Sequence, residues 1–236
     1  MALGSDLANA RPDLRAFLLI DMQKCALPDA PLGVPNMVDA TQSANLAIAA
    51  CREASVPLIF TRHRQSKHFI GLGGRSIADE FRARGGLDLV AELDYRPELD
   101  QCFDKQHWSA FRNTDLEDRL SVLPGTQVAI AGTVTDGCVQ QTAYDAFVRQ
   151  LRVIFIEDAI GAVTDAQHMS AMLSMANWLY ECRVISAAGF ARWMRGAPFD
   201  GWIWSRTYEF PYTMKTLESE YVRLTRADPL LRVAAK

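Results

Sequence analysis

A cysteine stands where a strand-like segment passes into a helical pattern. The apolar run that begins at Val128 leads into residues 132–138, Gly-Thr-Val-Thr-Asp-Gly-Cys, and helical periodicity follows Cys138 at once. A free cysteine has a pKa of about 8.5, and a helix N-terminus with a nearby cation can lower it by several units. The position of Cys138 therefore predicts a nucleophilic thiolate.

Two more residues able to do chemistry follow other strand-like runs. Asp21 closes the run 17–20, and Lys105 follows a weak run at 101–103. Ligands of open α/β sheets bind beyond the carboxyl ends of the strands, so side chains that end different strands converge there. A carboxylate at the edge of a core can accept a thiol proton, and an ammonium favours the thiolate electrostatically. The pattern predicts a nucleophile, a base and a stabiliser.

Each of these residues also has an ordinary structural explanation. Asp21 can cap a helix or bond a loop, Lys105 can lie in solvent, and Cys138 can be inert packing. It is the joint pattern that favours catalysis. The helix that begins near Asp136 adds backbone N–H groups that can stabilise a developing oxyanion.

The elements that must position these residues alternate between strand-like and helical segments. Such alternation is typical of βαβ units on a parallel sheet. Thr114 with Glu117, and Thr164 with Gln167, have capping-box spacing and predict two helix starts. We predict an α/β fold with three layers, α-β-α, around a six-stranded, mostly parallel, Rossmann-like sheet. The predicted strands cover residues 16–20, 56–60, 101–103, 128–131, 153–156 and 183–185.

Composition limits the classes of protein and partner. A chain of 236 residues with net charge -3 is long enough for one large α/β domain. No apolar stretch reaches the ~20 residues of a membrane span, and the first fifteen residues do not resemble a signal peptide, so we expect a cytoplasmic protein without a membrane partner. The five cysteines lack CxxC spacing, which argues against disulfides and zinc. No basic stripe indicates nucleic acid, and we expect a small-molecule substrate and no cofactor.

The C-terminal part of the chain departs from the alternating pattern. We divide the chain into a main domain, residues 1–187, and an arm, residues 188–236. Aromatic residues without a period mark the arm, and we expect them to cover another subunit or a neighbour's site in a homo-oligomer, a dimer or a tetramer. The alternative is an arm packed on its own domain. The aromatic residues are Phe190, Trp193, Phe199, Trp202, Trp204, Tyr208, Phe210 and Tyr212.

Four motifs, in order, span residues 16 to 187, and their combination is specific. On these motifs the chain resembles the isochorismatase-like cysteine hydrolases, which include nicotinamidases, N-carbamoylsarcosine amidases, ureidoacrylate amidases and biuret hydrolases. The motifs are Leu-Leu-Ile-Asp-Met-Gln at 18–23, Lys-Gln-His-Trp-Ser-Ala-Phe at 105–111, residues 132–139 with 142–147, and Glu-Asp-Ala at 157–159 with His168.

The resemblance implies both a site and a reaction. It makes Asp21, Lys105 and Cys138 a catalytic triad and the main domain a hydrolase domain. It also implies a cis peptide between Thr133 and Val134, and an oxyanion hole formed by the backbone N–H groups of Val134 and Cys138. The expected reaction is hydrolysis of a C–N bond through a thioester, with release of ammonia.

The second strand departs from the nicotinamidase pattern. Nicotinamidases hold a metal with an Asp-x-His pair, but this chain has Thr61-Arg62-His63, and an arginine would repel a cation. We therefore expect no metal and disfavour a nicotinamidase. A basic cluster in the same loop can clamp a substrate carboxylate, or else it is simply a solvated, charged loop. The cluster comprises Arg62, His63, Arg64, Lys67 and His68, at the start of a Gly- and Arg-rich stretch, 62–99, that has the length of a lid.

Three more residues complete the expected substrate-binding set with Arg62 and His63. Gln23 is expected to brace the site through hydrogen bonds, Trp108 to form a broad apolar wall where many relatives have tyrosine, and Phe111 to line the pocket. His107 is assigned no role.

Cys138 also separates the possible reactions. Isochorismatases cleave a vinyl ether and often have glycine at this position, so the cysteine favours a small linear amide, ureido or carbamoyl compound, and we expect this compound to carry a carboxylate. Ether hydrolysis and a noncatalytic interaction domain of the same fold are the alternatives. A dinucleotide enzyme is disfavoured, because the first strand leads into Asp21-Met-Gln and not into a Gly-x-Gly-x-x-Gly turn.

Overall fold

Seven strands form one sheet in the computed structural model, which describes residues 12–64 and 86–226. The sheet order is β3-β2-β1-β4-β5-β6-β7; the first six strands are parallel and β7 runs antiparallel to β6. The strands are β1 (Leu14–Ile20), β2 (Leu58–His63), β3 (Gln101–Lys105), β4 (Gln127–Thr133), β5 (Arg152–Gly161), β6 (Arg183–Ile185) and β7 (Gly201–Ile203).

The parallel, α/β character of the sheet is confirmed, but the count of six strands is wrong. The seventh strand, β7, pairs Trp202 with Val184 at the edge of the sheet. Its sequence, Gly201-Trp202-Ile203, begins with a residue type depleted in strands and lies among aromatic residues that show no period. It comes from the segment that we separated as the arm.

Helices cover both faces of the sheet and give the three layers. On one face, α1 (Met37–Glu53) packs against α5 (Ala187–Met194), and Phe17 of β1 contacts Phe190 with ring centroids 6.1 Å apart. On the other face the core includes Leu18, Ile130 and Phe155. The helices there are α2 (Leu116–Ser121), α3 (Gln140–Val148), α4 (Asp165–Trp178) and α6 (Leu217–Thr225).

Strand order switches direction between β1 and β4. From β1 the chain continues outward through β2 and β3, then returns to β4 on the other side, which leaves a crevice at the carboxyl ends of β1 and β4. The two strands approach closely at Gly132, where φ is +123° and an added Cβ would lie 1.9 Å from the Ile20 carbonyl oxygen. Only glycine fits there.

One of the two predicted helix starts has the expected cap. Thr164 Oγ1 accepts a hydrogen bond from the Gln167 backbone N–H at 3.2 Å, so α4 begins as predicted. The other start is shifted, because α2 begins after Asp115 and the Thr114 hydroxyl instead accepts from the Leu116 N–H at 3.3 Å.

The aromatic side chains after residue 187 pack largely on their own domain. Phe190, Trp193, Trp202 and Phe210 are buried in the two core clusters, and Phe199 stacks on Trp193 with centroids 4.7 Å apart. The structure thus matches the alternative expectation for these rings; the homo-oligomer stays a prediction. No helix in the described part of the chain has the length and apolar character needed to cross a membrane. Residues 65–85 of the predicted lid lie outside the described residues.

Candidate active site

Lysine and aspartate form a buried ion pair at the carboxyl edge of the sheet. Asp21 directly follows β1, and Lys105 is the last residue of β3, with β2 between the two strands. Lys105 reaches across β2, so that its Nζ lies 2.7 Å from Asp21 Oδ2, and both side chains are buried. Burial acts to lower the pKa of Lys105, but interactions with Asp21, whose negative charge has the largest opposing effect, and with Cys138 outweigh burial and leave the pKa raised. The lysine therefore stays protonated at neutral pH.

The Lys105 ammonium is held by further acceptors. Its Nζ donates to the carbonyl oxygens of His107 at 2.8 Å and Trp108 at 2.9 Å, and lies 3.4 Å from His63 Nδ1. An ammonium has three N–H donors, and Asp21 and the two carbonyl oxygens accept from all three, so the position of the ammonium is fixed. Burial, followed by the charge of Lys105, lowers the pKa of His63, which makes it a neutral imidazole.

Asp21 is held by both neighbouring strands. The Thr61 hydroxyl of β2 donates to Asp21 Oδ1 at 2.7 Å and accepts from the Asp21 N–H at 3.1 Å. The Thr133 hydroxyl of β4 donates to the Asp21 carbonyl oxygen at 2.8 Å. One carboxylate oxygen faces lysine and the other faces threonine, so the aspartate has a single orientation.

Thr61 should therefore affect turnover through Asp21 alone. Thr61→Val keeps the shape of the side chain but removes the hydroxyl, and hydrogen bonds to charged groups contribute about 1.5–3 kcal/mol. We expect kcat, measured on a substrate that the wild type turns over, to fall roughly 10- to 100-fold. Thr61→Ser retains the hydroxyl and is the matched control; equal loss in both variants would contradict the role of this bond.

Cys138 completes the group from the other side of the switch point. It lies on a π-helical turn, Thr135–Val139, which we call the nucleophile turn and which leads from β4 into α3. A carboxylate oxygen of Asp21, a ring nitrogen of His63 and the Cys138 sulfur lie within 4.8 Å of one another. The Cys138 thiol interacts with both Asp21 and Lys105, and the residue is 8% exposed.

The protonation of Cys138 differs from the expectation of a resting thiolate. Burial, and then the negative charge of Asp21, raise the pKa of the thiol more than Lys105 lowers it. Desolvation disfavours the anion, and the carboxylate lies closer than the sequence alone could show. At neutral pH the sulfur keeps its proton next to a base that can accept it.

Alkylation should report this protonation state. Below its pKa a thiol gains thiolate about tenfold per pH unit, so labelling of Cys138 by iodoacetamide should rise steeply between roughly pH 7 and pH 9. Peptide mass spectrometry separates Cys138 from the half-buried Cys102. A labelling rate that is flat over this range would instead indicate the lowered pKa that the sequence suggested.

The backbone on both sides of Val134 shapes the nucleophile turn. The Thr133–Val134 peptide bond is cis. The Val134 carbonyl oxygen accepts from the N–H groups of Gly137 at 3.1 Å and Val139 at 3.2 Å, which closes the turn around Cys138.

The segment that supplies carbonyl groups to lysine is tied to the helix after the nucleophile. The Ser109 hydroxyl donates to the Asp145 carboxylate, and the Ala110 N–H donates to Thr142 Oγ1 at 3.0 Å. Asp145 and Thr142 both belong to α3. The lysine segment and the nucleophile turn are thus coupled through one helix.

The two aromatic residues of the predicted binding set have different surroundings. Trp108 is 49% exposed, and a Cβ built at Gly137 would lie 4.0 Å from its Cδ1, so the indole stands beside the nucleophile turn. Phe111 is buried in the core cluster that contains Cys138, and the Arg149 guanidinium lies 4.7 Å from its ring centroid. Trp108 thus lies half-exposed beside the nucleophile turn, whereas Phe111 is buried in the core.

Gln23 and Arg62 also differ in position. Gln23 Oε1 accepts from the His63 N–H at 2.8 Å and its amide donates to the Leu87 carbonyl, so it braces the end of β2. Arg62 alternates with His63 along the strand and instead pairs with Asp104, Nε to Oδ1 2.7 Å. The structure does not bring Arg62 into the group around Cys138. Arg64 also pairs with Asp104, at 2.9 Å, and Lys67 and His68 of the predicted basic cluster lie outside the described residues.

The residues around the sulfur do not suit a metal ion. Within the described ranges, Asp21, His63 and Cys138 are a group whose ligand atoms lie close enough for a shared ion. The Lys105 ammonium contacts all three side chains and already supplies a positive charge to them. Thr61 occupies the position of the acid in the Asp-x-His pair and donates to Asp21.

Sequence reasoning missed the groups that hold the charged pair. Thr61 and the carbonyl groups of His107 and Trp108 contact Asp21 or Lys105 directly. Thr61 directly follows the predicted strand 56–60, and the pairing of that strand with β1 was the available signal. Carbonyl groups carry no sequence signal, because every residue has one.

Comparison with known proteins places the chain among hydrolases. A family model described as the isochorismatase domain matches residues 15–188. Nicotinamidase 3 of Arabidopsis thaliana is 28% identical over 167 residues, 69% of this chain and 81% of that protein. Maleamate amidohydrolase of Pseudomonas putida is 29% identical over 152 residues, 62% of this chain and 71% of that protein. The crystal structure of a cysteine hydrolase from Pseudomonas syringae pv. phaseolicola is 26% identical, with a TM-score of 0.67 over 78% of this chain and 93% of that chain.

Proposed function

Because the chain belongs to the isochorismatase domain family of hydrolases, we propose that it is a cysteine-dependent amidohydrolase. It cleaves a C–N bond of a small linear amide, ureido or carbamoyl compound and releases ammonia. The observation that carries the proposal is the shared contact of one buried ammonium, Lys105, with a carboxylate and a thiol. This arrangement supplies a nucleophile, a base and a fixed positive charge at one point.

The first half of the reaction adds the Cys138 sulfur to the substrate carbonyl and gives a tetrahedral oxyanion. Asp21 accepts the thiol proton as the Cys138 sulfur bonds to the substrate carbonyl carbon, and the carbonyl π electrons move to oxygen. The N–H groups of Val134 and Cys138 stabilise that oxyanion, where one donor typically contributes on the order of 3 kcal/mol. Lys105 remains protonated and stabilises the negative charge that passes between Asp21 and the sulfur.

The second half releases nitrogen and regenerates the thiol. Protonated Asp21 gives its proton to the departing nitrogen, the oxyanion re-forms the carbonyl, the C–N bond breaks, and ammonia leaves a thioester on Cys138. Asp21 then takes a proton from water, whose oxygen attacks the thioester carbonyl and displaces the sulfur, and protonated Asp21 returns that proton to the sulfur. The products are a carboxylic or carbamic acid and the free thiol. Splitting the hydrolysis in two gives each step a lower barrier.

The substrate class includes a carboxylate beside the scissile amide. Maleamate, the compound in the name of one relative, is an amide with this second group. Arg62 and Arg64 pair with Asp104, whereas the neutral His63 has a ring nitrogen within 4.8 Å of the Cys138 sulfur and can orient a substrate. Trp108 adds an apolar wall.

An ammonia-release screen tests the proposal. The full chain should release ammonia from at least one member of a set of carboxylate-bearing amides, ureides and carbamoyl amino acids. The Cys102→Ser variant should behave as the wild type, because Cys102 lies on β3 outside the group. Release of pyruvate from isochorismate without ammonia from any amide would overturn the proposal in favour of ether hydrolysis.

A further inference from the structure

A chain of hydrogen bonds runs from the nucleophile turn to the C-terminal helix α6. Thr135 Oγ1 lies 2.8 Å from His168 Nδ1, and His168 Nε2 lies 2.8 Å from the Tyr221 hydroxyl. The Tyr221 hydroxyl in turn lies 3.2 Å from Glu157 Oε2 on β5. The proposed chemistry uses none of these four side chains, although Thr135 begins the turn that carries Cys138.

The three hydrogen bonds from Thr135 to Glu157 all run in the same direction, with each donor on the Thr135 side of its acceptor. Tyr221 donates to the Glu157 carboxylate, so its oxygen is left to accept from His168 Nε2–H. A neutral imidazole has one donor and one acceptor, and His168 Nδ1 therefore accepts from the Thr135 hydroxyl. Burial lowers the pKa of His168 to about 4, which keeps the ring neutral at physiological pH.

We infer that Tyr221 is a positioning residue for the nucleophile turn and acts through His168 and Thr135. The inference rests on the proposed function. Thr135 is fully buried, and its hydroxyl is held by a ring that packs on the Tyr221 ring with centroids 5.4 Å apart. The C-terminal helix α6 thus supports the geometry of Cys138 indirectly, through His168 and Thr135.

Glu157 makes the same series of hydrogen bonds sensitive to pH. Its carboxyl borders a cavity of about 190 Å³. Burial and then the charge of Asp158 raise the pKa of Glu157 to about 7, although the Tyr221 hydrogen bond acts to lower it. An ionised Glu157 accepts strongly from Tyr221, whereas protonation weakens that bond. Of the described residues, the titratable groups that line the cavity with Glu157 are Asp158 on β5, Asp165 and His168 on α4, and Tyr221 on α6.

Tyr221→Phe tests the positioning role. The change removes one hydroxyl and breaks two bonds of the chain, and we expect kcat to fall about tenfold with KM within about twofold. Tyr212→Phe is the matched control, because the Tyr212 hydroxyl binds Ser170 on the same helix, α4, at 3.1 Å but does not lead to Thr135. Tyr212→Phe should retain wild-type kcat.

The pH dependence of kcat distinguishes a positioning role from general destabilisation, which would not change its shape. In the wild type, kcat should rise with pH through about 7, as Glu157 ionises. Tyr221→Phe should lose this step. Glu157→Gln keeps an acceptor for Tyr221 at every pH and should also lose the step. A step that persists in both variants would overturn the inference.

Labelling of Cys138 separates this inference from the proposed function, since iodoacetamide needs no substrate. We expect the labelling rate in Tyr221→Phe to differ at least threefold from the rates in the wild type and Tyr212→Phe. Such a difference supports the inference even if no amide is hydrolysed. Equal labelling in all three proteins would overturn it. Should Tyr221→Phe fail to fold, Thr135→Val must show the same change and Thr135→Ser must restore the wild-type rate.

Discussion

Cys138→Ala should abolish amide hydrolysis and leave the fold intact. The variant lacks the atom that bonds to the substrate carbon, while Asp21 and Lys105 keep their ion pair. Loss of the nucleophile from a catalytic group of this kind lowers kcat by roughly 10⁴-fold or more. Steady-state ammonia release measures the effect, and circular dichroism with thermal unfolding checks the fold.

The control for this variant is another cysteine. Cys102→Ala makes the same change at a half-buried cysteine of β3 and should retain activity. If Cys138→Ala hydrolysed the favoured amide at a rate close to that of the wild type, covalent catalysis by the sulfur would be ruled out, and Asp21 would have to activate water directly.

Lys105→Met should lower both turnover and stability. The methionine fills a similar volume but leaves the buried Asp21 carboxylate without its cation. Breaking a buried ion pair from one side costs about 3–5 kcal/mol of unfolding free energy, because an uncompensated charge remains in the core. Chemical denaturation measures that loss. Turnover should fall with it, because the positive charge beside Cys138 is gone.

A double-mutant cycle separates these two effects. Adding Asp21→Asn to Lys105→Met removes the orphaned charge, so part of the stability should return while turnover stays at least as low as in Lys105→Met. Arg195 pairs with Glu53 at the surface, at 2.8 Å, and Arg195→Met should change stability little. If Lys105→Met were as mild as Arg195→Met, the buried ion pair would not have the role described above.

Strand ends were the part of the site that the sequence could predict. Parallel strands place their carboxyl ends at one edge, so Asp21, Lys105 and Cys138 follow from the strand pattern and from the family motifs. The predicted run 183–185 matches β6 in both bounds. The missing strand, β7, begins with Gly201, a residue type depleted in strands, and lies in the aromatic segment that showed no period.

Contacts across the sheet were not predictable from spacing. Thr61 meets Asp21 only because β2 pairs with β1, and Arg62 turns away from the group because side chains alternate along a strand. The sign of the shift in the pKa of Cys138 depends on burial, which a sequence position does not give.

Trapping the acyl-enzyme tests the central claim most directly. The wild type is mixed with an amide that it hydrolyses, and the reaction is quenched in acid within one turnover. The protein is then digested and analysed by mass spectrometry. A parallel reaction contains hydroxylamine. The cysteine mechanism predicts the substrate acyl group on the peptide that contains Cys138, and a hydroxamate in the parallel reaction. Product formation with Cys138 unmodified and no hydroxamate would contradict a thioester intermediate.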